Sequence, residues 1–319
     1  MHTLAIDIGG TKVSVARIDF IDEAPEFVDV QTVQTRELCQ TNTNPTATDI
    51  LNWINQACEQ LTSDHGRCDA IGVGFGGQFD SQAQRCLKSL HIDGWQGVAI
   101  GDFFSAHSSL NGVPIVGIND AKAGVLAEAT AYAKARPAQQ NNEIFAYVTV
   151  STGIGGAIAR LSPRDNGVET RVAIMSGQQS LAGEFGHLQV PHPKQSYQEN
   201  NCSCGGTACL ERVCSGLWIE QRTGLSAQAY LNDEMNFAAW IADFTAGIWS
   251  AVTVLDPDVI CIGGGMSSMG NRLTSALTQS LRERCNAWGR KPPEVTVAHW
   301  DSRSVLLGAA LLAREVGTT

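Results

Sequence analysis

Leu4-Ala5-Ile6-Asp7-Ile8-Gly9-Gly10-Thr11-Lys12-Val13-Ser14-Val15-Ala16-Arg17-Ile18 is the stretch from which the fold class is read. The run 4–8 reads as a buried strand, Gly9-Gly10 as a tight turn, and 13–18 as a strand returning beside the first. Two successive glycines leave no Cβ between the backbone amides and a ligand. The amides of Gly9 and Gly10, with Thr11 and Lys12, are therefore candidates to wrap phosphate oxygens, and Asp7 to hold Mg2+. The plain alternative is a hairpin turn with a solvated lysine, and this segment alone does not choose between the two.

Further along the chain the pattern recurs. A strand at 144–150 enters Ser151-Thr152-Gly153-Ile154-Gly155-Gly156, and a strand at 157–161 returns. Hydroxyls again stand beside backbone amides in a turn, with Thr152 and Gly153 as candidate contacts, and a triphosphate needs donors from both sides. A third turn, Gly263-Gly264-Gly265, follows a strand at 259–262 and offers Gly264 for close passage of a nucleotide; its alternative is an ordinary strand-to-helix connection. Apolar spacing predicts helices over 48–62, 121–135, 235–254, 271–284 and 304–316, and strands over 70–75 and 113–118. The expected class is α/β, in two related lobes. We place an N-terminal lobe at 1–118, a larger one at 119–300, and a final helix in 301–319 returning to the first lobe. No Pro-, Gly- or Ser-rich linker separates them, which fits a cleft between joined halves.

Composition narrows the function classes. The 319 residues carry 32 acidic and 22 basic side chains, a formal net charge of -10. With no basic block, that balance argues against nucleic-acid backbone binding. The absence of a long apolar run or a secretory leader predicts a cytoplasmic protein without a membrane span. Gly72-Val73-Gly74-Phe75-Gly76-Gly77 matches G-x-G-x-x-G, but the helix and distant acid that a dinucleotide site needs do not follow. No G-x-x-x-x-G-K-[S/T] loop occurs either.

Two further groups carry chemistry. Asn119-Asp120 closes a strand and opens a helix, so Asp120 reads either as a helix N-cap or as a base beside an accepting hydroxyl, with Asn119 holding a neighbouring one. From the residue type alone the cap is the simpler reading. Most of the 10 cysteines are scattered, but Cys202, Cys204 and Cys209 cluster after His187 in a pattern suited to a closed, structural Zn2+ site. Cys214 and His192 are spare ligands. Glu184 and Glu211 flank the group, where a metal would fix their backbones and let them read a polyol; two surface glutamates are the alternative.

Taken in order, Asp7–Lys12, Asn119-Asp120-Ala121, Ser151–Gly156, Ala182-Gly-Glu-Phe-Gly-His187, Cys202-Ser-Cys-Gly-Gly-Thr-Ala-Cys-Leu-Glu211 and Gly263–Gly265 resemble the ROK family of sugar kinases and repressors. The resemblance runs over nearly the whole chain. It implies a two-lobe actin-like ATPase (ribonuclease H-like) fold with a central cleft, ATP and Mg2+ as cofactors, a sugar substrate, and a homodimer. It also implies Asp120 as catalytic base; Gly77, Gln78, Asn119, Glu184, His187 and Glu211 as sugar contacts; and His187, Cys202, Cys204 and Cys209 as Zn2+ ligands. The expected reaction is phosphorylation of a hexose or N-acetylhexosamine, at the 6-hydroxyl. With Asp7 already on the first strand, the DNA-binding domain of the repressor members is not expected here. A catalytically silent sugar-binding regulator of the same fold is the alternative function. The chain departs from the family pattern at Gly76–Gln78, Leu90–Trp95 and Ala208; the first two bear on which sugar is bound.

Overall fold

The structure, a computed structural model, describes residues 1–38, 45–89, 92–105, 110–137, 141–164, 169–191 and 202–317. Cys39, His192 and the Leu90-His91 part of the 90–95 segment lie outside them. The chain divides into two compact units, residues 1–127 with 303–319, and residues 128–302.

In the first unit, β1 (His2–Ile8) is buried from Thr3 onward, and β2 (Lys12–Ile21) returns antiparallel with Ile8 opposite Val13. β3 (Ala24–Gln34) pairs with β2 and alternates exposed and half-buried residues, as an edge strand does. α1 (Ala47–His65) starts at a capping box between Thr46 and Asp49 and ends at Gly66, whose φ is +85°. It buries Ile50, Leu51, Ile54, Cys58 and Leu61. β4 (Ala70–Phe75) joins β1 in parallel, and β7 (Ile115–Asn119) joins β4 in parallel. The sheet order is β3-β2-β1-β4-β7. Between β4 and β7 lie a small antiparallel hairpin, β5 (Gln78–Asp80) and β6 (Arg85–Lys88), and the short α2 (Ile100–Ser105).

α3 (Asp120–Lys134) leaves the end of β7. The helix α9 (Ser304–Gly317) completes this unit from the far end of the sequence, with Leu306, Leu307, Ala309, Ala310 and Ala313 buried. Its contact with α3 is backbone to backbone: a Cβ on Gly308 would stand 1.7 Å from Ala123 O. Glycine is what allows that approach.

The second unit repeats the plan. β8 (Glu143–Val150), β9 (Ile154–Pro163) and β10 (Thr170–Ile174) form an antiparallel meander. β11 (Val259–Gly263) adds to β8 in parallel and β12 (Glu294–Val297) to β11, giving the order β10-β9-β8-β11-β12. Helices α4 (Leu210–Cys214), α5 (Gly216–Thr223), α6 (Ala227–Leu231), α7 (Glu234–Leu255) and α8 (Asn271–Ala287) supply the rest. By length and composition α7 could cross a membrane. Its Phe237, Trp240, Ile241, Phe244, Ile248 and Val252 are instead buried in this unit's core, alongside Leu273, Leu277 and Leu281 of α8.

Candidate functional site

Parallel pairing decides where the first group of residues emerges. Asp7 stands opposite Gly74, and Phe75 opposite Asn119, so β1, β4 and β7 end side by side. Residues just beyond the carboxyl ends of parallel strands are where open α/β sheets bind ligands. Asp7, the 9–12 turn, Gly76-Gly77 and Asn119-Asp120 are thereby collected at one end of one sheet.

The turn after β1 is closed by Gly9 N, which donates to Lys12 O at 3.1 Å. Thr11 is exposed while Gly9, Gly10 and Lys12 are half-buried. Gly76 N donates to Ile8 O at 2.8 Å, and a Cβ on Gly76 would stand 2.9 Å from that oxygen and 3.4 Å from Asp120 Oδ2. The tighter of the two approaches, to the Ile8 carbonyl, is what glycine at position 76 allows.

The helix N-cap, one of the two readings of Asp120 from the sequence, falls to Asn119 instead. Asn119 Oδ1 accepts from Lys122 N at 3.2 Å, the bond an N-cap makes. Asn119 Nδ2 donates to Gly77 O at 3.1 Å and to Asp120 Oδ1 at 3.0 Å. Asp120 Oδ1 also accepts from Ala121 N at 2.7 Å. Both amide hydrogens of Asn119 are therefore used inside the protein, and a sugar hydroxyl would meet it through Oδ1. Burial, reinforced by the negative charge of Asp120 and opposed by Lys12, pushes the Asp7 carboxyl up to about 7. Gln78 lies exposed on β5, next to Gly77.

The second group lies in the other unit. In the turn between β8 and β9, Ser151 N donates to Gly153 O at 2.8 Å, and the Ser151 and Thr152 carbonyls accept from Gly216 N and Leu217 N at the start of α5. Thr152 is exposed. Glu211, in the first turn of α4, reaches this loop: its Oε2 accepts from Ile154 N at 3.1 Å. A Cβ on Gly153 would stand 2.7 Å from that same oxygen. Thr149 pairs with Gly263 across β8 and β11, so Gly264, at φ +78°, follows at the same end of the sheet. Glu184 precedes a 3-10 turn over Phe185–His187 and is half-buried. The link from Glu211 to Ile154 N has no sequence signature, since the two are far apart in the chain.

The ligand atoms of His187, Cys202, Cys204 and Cys209 all lie within 4.8 Å of one another. His187 Nδ1 is 3.5 Å from Cys202 Sγ, and the Cys204 and Cys209 sulfurs are 3.3 Å apart, too far for a disulfide. A Zn–S bond of about 2.3 Å at tetrahedral angles puts sulfurs roughly 3.8 Å apart, so the spacing suits one metal ion. Gln189 Nε2 donates to Cys209 Sγ at 3.2 Å and Gly206 N to Cys204 Sγ at 3.4 Å; such donors steady thiolate ligands. Burial opposes ionisation of Cys202, but hydrogen bonds from Cys204, Arg212 and Cys209 outweigh it and bring the thiol down to about 6. Burial and Cys204 push Cys209 up to about 12. Cys214, a spare in the sequence reading, is buried, and burial raises its thiol well above the usual range. It is not among the four converging residues.

The family model described as ROK family matches residues 3–316. An N-acetylmannosamine kinase from Vibrio cholerae is 26% identical over 99% of this chain and 100% of its own length. A glucokinase from Streptomyces coelicolor is 24% identical over 98% of each. Among solved structures, a ROK hexokinase from Thermus thermophilus superposes with a TM-score of 0.72 at 25% identity, covering 100% of both chains. With all but its extreme ends matched, the chain belongs to the ROK family and has the two-lobe actin-like ATPase fold of its structural neighbours.

Proposed function

We propose that this chain, an ATP-dependent sugar kinase by its family, transfers the γ-phosphoryl group of ATP to the 6-hydroxyl of a hexose or N-acetylhexosamine. The observation that carries the reading is the setting of Asp120. Its Oδ1 is held by Ala121 N and Asn119 Nδ2, which fixes the orientation of the carboxylate. Its Oδ2 lies on the side of Gly76, 3.4 Å from where a Cβ on that glycine would stand. There it would take the proton of the accepting hydroxyl as the oxygen attacks phosphorus and the bond to the ADP leaving group breaks.

The amides of the 9–12 turn, Lys12 and the Thr11 hydroxyl would bind phosphate oxygens, as would Thr152 and Gly153 of the 151–156 turn; Gly264 would leave room for the nucleotide. Asp7 suits a Mg2+ site, because a buried carboxyl next to a second one gains most from a cation. Mg2+ would neutralise charge on the phosphates. Asn119, Glu184, His187 and Glu211 would hold the sugar, with Gly77 and Gln78 at its edge. Cys202 faces His187 Nδ1, so this nitrogen is the metal-side atom and Nε2 is left to donate to a hydroxyl. His187, Cys202, Cys204 and Cys209 would hold Zn2+ with no open position, as a cross-link. A homodimer, the assembly expected of the family, would be read by light scattering.

The test is an ATP-consumption screen over glucose, mannose, fructose, allose, glucosamine, N-acetylglucosamine and N-acetylmannosamine. At least one should be turned over, and failure on all with ATP still bound counts against the reading. Asp120→Asn should lower kcat by about 10^2–10^4 while ATP and sugar affinities change only a few-fold. Turnover within tenfold of the parent would remove Asp120 from the role of base.

A further inference from the structure

The hairpin of β5 and β6 is clamped to β7 by a side chain that the reaction described above does not use. β7 is the outer strand of its sheet, and an outer strand leaves backbone groups without a neighbouring strand. Gly117 N donates to Gln84 Oε1 at 2.6 Å, and Gln84 Nε2 donates back to Gly117 O at 3.1 Å and to Ser81 O at 2.6 Å. One side-chain amide thus gives Gly117 the acceptor and the donor that another strand would give. Both hydrogens of that amide are engaged. The backbone of Gln84 is left-handed, at φ +52°, a conformation that a non-glycine residue keeps only where its surroundings hold it. Asp80 shapes the same turn, its Oδ1 accepting from Gln82 N and Ala83 N at 2.9 and 3.0 Å.

Two other contacts fix the hairpin at this strand. The Phe79 ring lies on Gly117, where a Cβ would come 2.6 Å from its Cζ. At the base, Asn119 Nδ2 donates to Gly77 O. The hairpin is therefore held at the two residues of β7, Gly117 and Asn119, that lead directly into Asp120.

We propose that Gln84 is a positioning residue for the acceptor sugar: its amide locks the 77–88 hairpin to β7 and so sets Gly77 and Gln78 against Asn119 and Asp120. This rests on the sugar kinase reading, in which Gly77 and Gln78 border the sugar and Asp120 takes its proton. A base must lie within about 3 Å of the hydroxyl it serves, and a misplacement of about 1 Å can cost roughly a hundredfold. An edge-strand clamp three residues before the base is a direct way to hold that distance.

Two variants of the full chain separate the amide from the turn. Gln84→Gly keeps the left-handed backbone at no steric cost and deletes the amide; Gln84→Met keeps the bulk and deletes the hydrogen bonds. With whichever sugar of the screen the parent turns over, both should lower kcat/KM for the acceptor about tenfold or more, while the KM for ATP stays within twofold. Hydrogen exchange should show loss of protection at the Gly117 amide in both. An acceptor kcat/KM within twofold of the parent in Gln84→Gly, or equal rises in both KM values as expected of general loosening, overturns the positioning role and leaves the kinase reading intact. A parent inert to every sugar overturns the kinase reading, and the positioning role with it.

Discussion

Replacing Asp7 by Asn tests the electrostatics of the first cluster in the absence of nucleotide and divalent cation. Burial first, and the Asp120 charge second, move this carboxyl from 3.8 to about 7. A carboxyl raised in the folded state leaves its stability intact below about pH 4, and that stability is lost as pH rises through about 7. Three or so pH units at about 1.4 kcal/mol each come to about 4 kcal/mol. Local relaxation and water entry return part of this, so about 2–4 kcal/mol separates the ionised from the neutral side chain at pH 8. Asp7→Asn removes that cost. In EDTA at pH 8 the variant should melt about 5–10 °C above the parent, at about 2–4 °C per kcal/mol for a domain of this size. The gain should shrink steadily below pH 7 and nearly vanish at pH 4. Adding Mg2+ at pH 8 should raise the melting temperature of the parent and leave the variant where it was. Differential scanning fluorimetry across pH reads all three quantities. A gain independent of pH, or a variant less stable than the parent at pH 8, would refute the assignment of a costly buried charge to Asp7.

Two further outcomes bear on the second unit. Glu211→Ala leaves the Ile154 amide without its carboxylate partner, a loss of about 1–3 kcal/mol, so the KM values for ATP and sugar should both rise about tenfold or more. Glu211→Gln keeps an acceptor oxygen and should spare the KM for ATP while weakening sugar binding; an unchanged KM for ATP in the Ala variant would sever Glu211 from the 151–156 turn. Cys204→Ser should bring bound zinc, read by elemental analysis, close to zero and lower the melting temperature. Full zinc content in that variant would exclude Cys204 as a ligand.

The long elements were legible because their patterns are unmixed. The run Ala70–Phe75 is buried throughout, and α7 repeats apolar residues over 22 positions; no competing period blurs either. β3 was not expected, because APEFVDVQTVQ places acids and glutamines between valines and packs only half of each pair. The hairpin of β5 and β6, and the short helices α4 to α6, escaped for a different reason. Each spans a few residues whose conformation is set by distant partners, as Gln84 is by Gly117. At the candidate site the residue types were legible, and the four candidate metal ligands do converge. The hydrogen bonds that orient them were not: Asn119 Oδ1 on Lys122 N and Glu211 on Ile154 N depend on backbone direction, which residue spacing does not encode.

The place of α9 has a consequence for how the protein is made. The first unit is assembled from both ends of the sequence, with all of residues 128–302 lying between. On a ribosome the second unit can therefore finish folding while the sheet that carries Asp7 and leads into Asp120 still lacks the helix packed against Gly72 and Ala123. Closing so distant a contact is slow compared with local folding. Until it happens the apolar face of β1 and β4 waits uncovered, a target for chaperones and for misassembly. A chain that stops short of residue 303 would carry every residue of the candidate site and still leave the first unit unfinished.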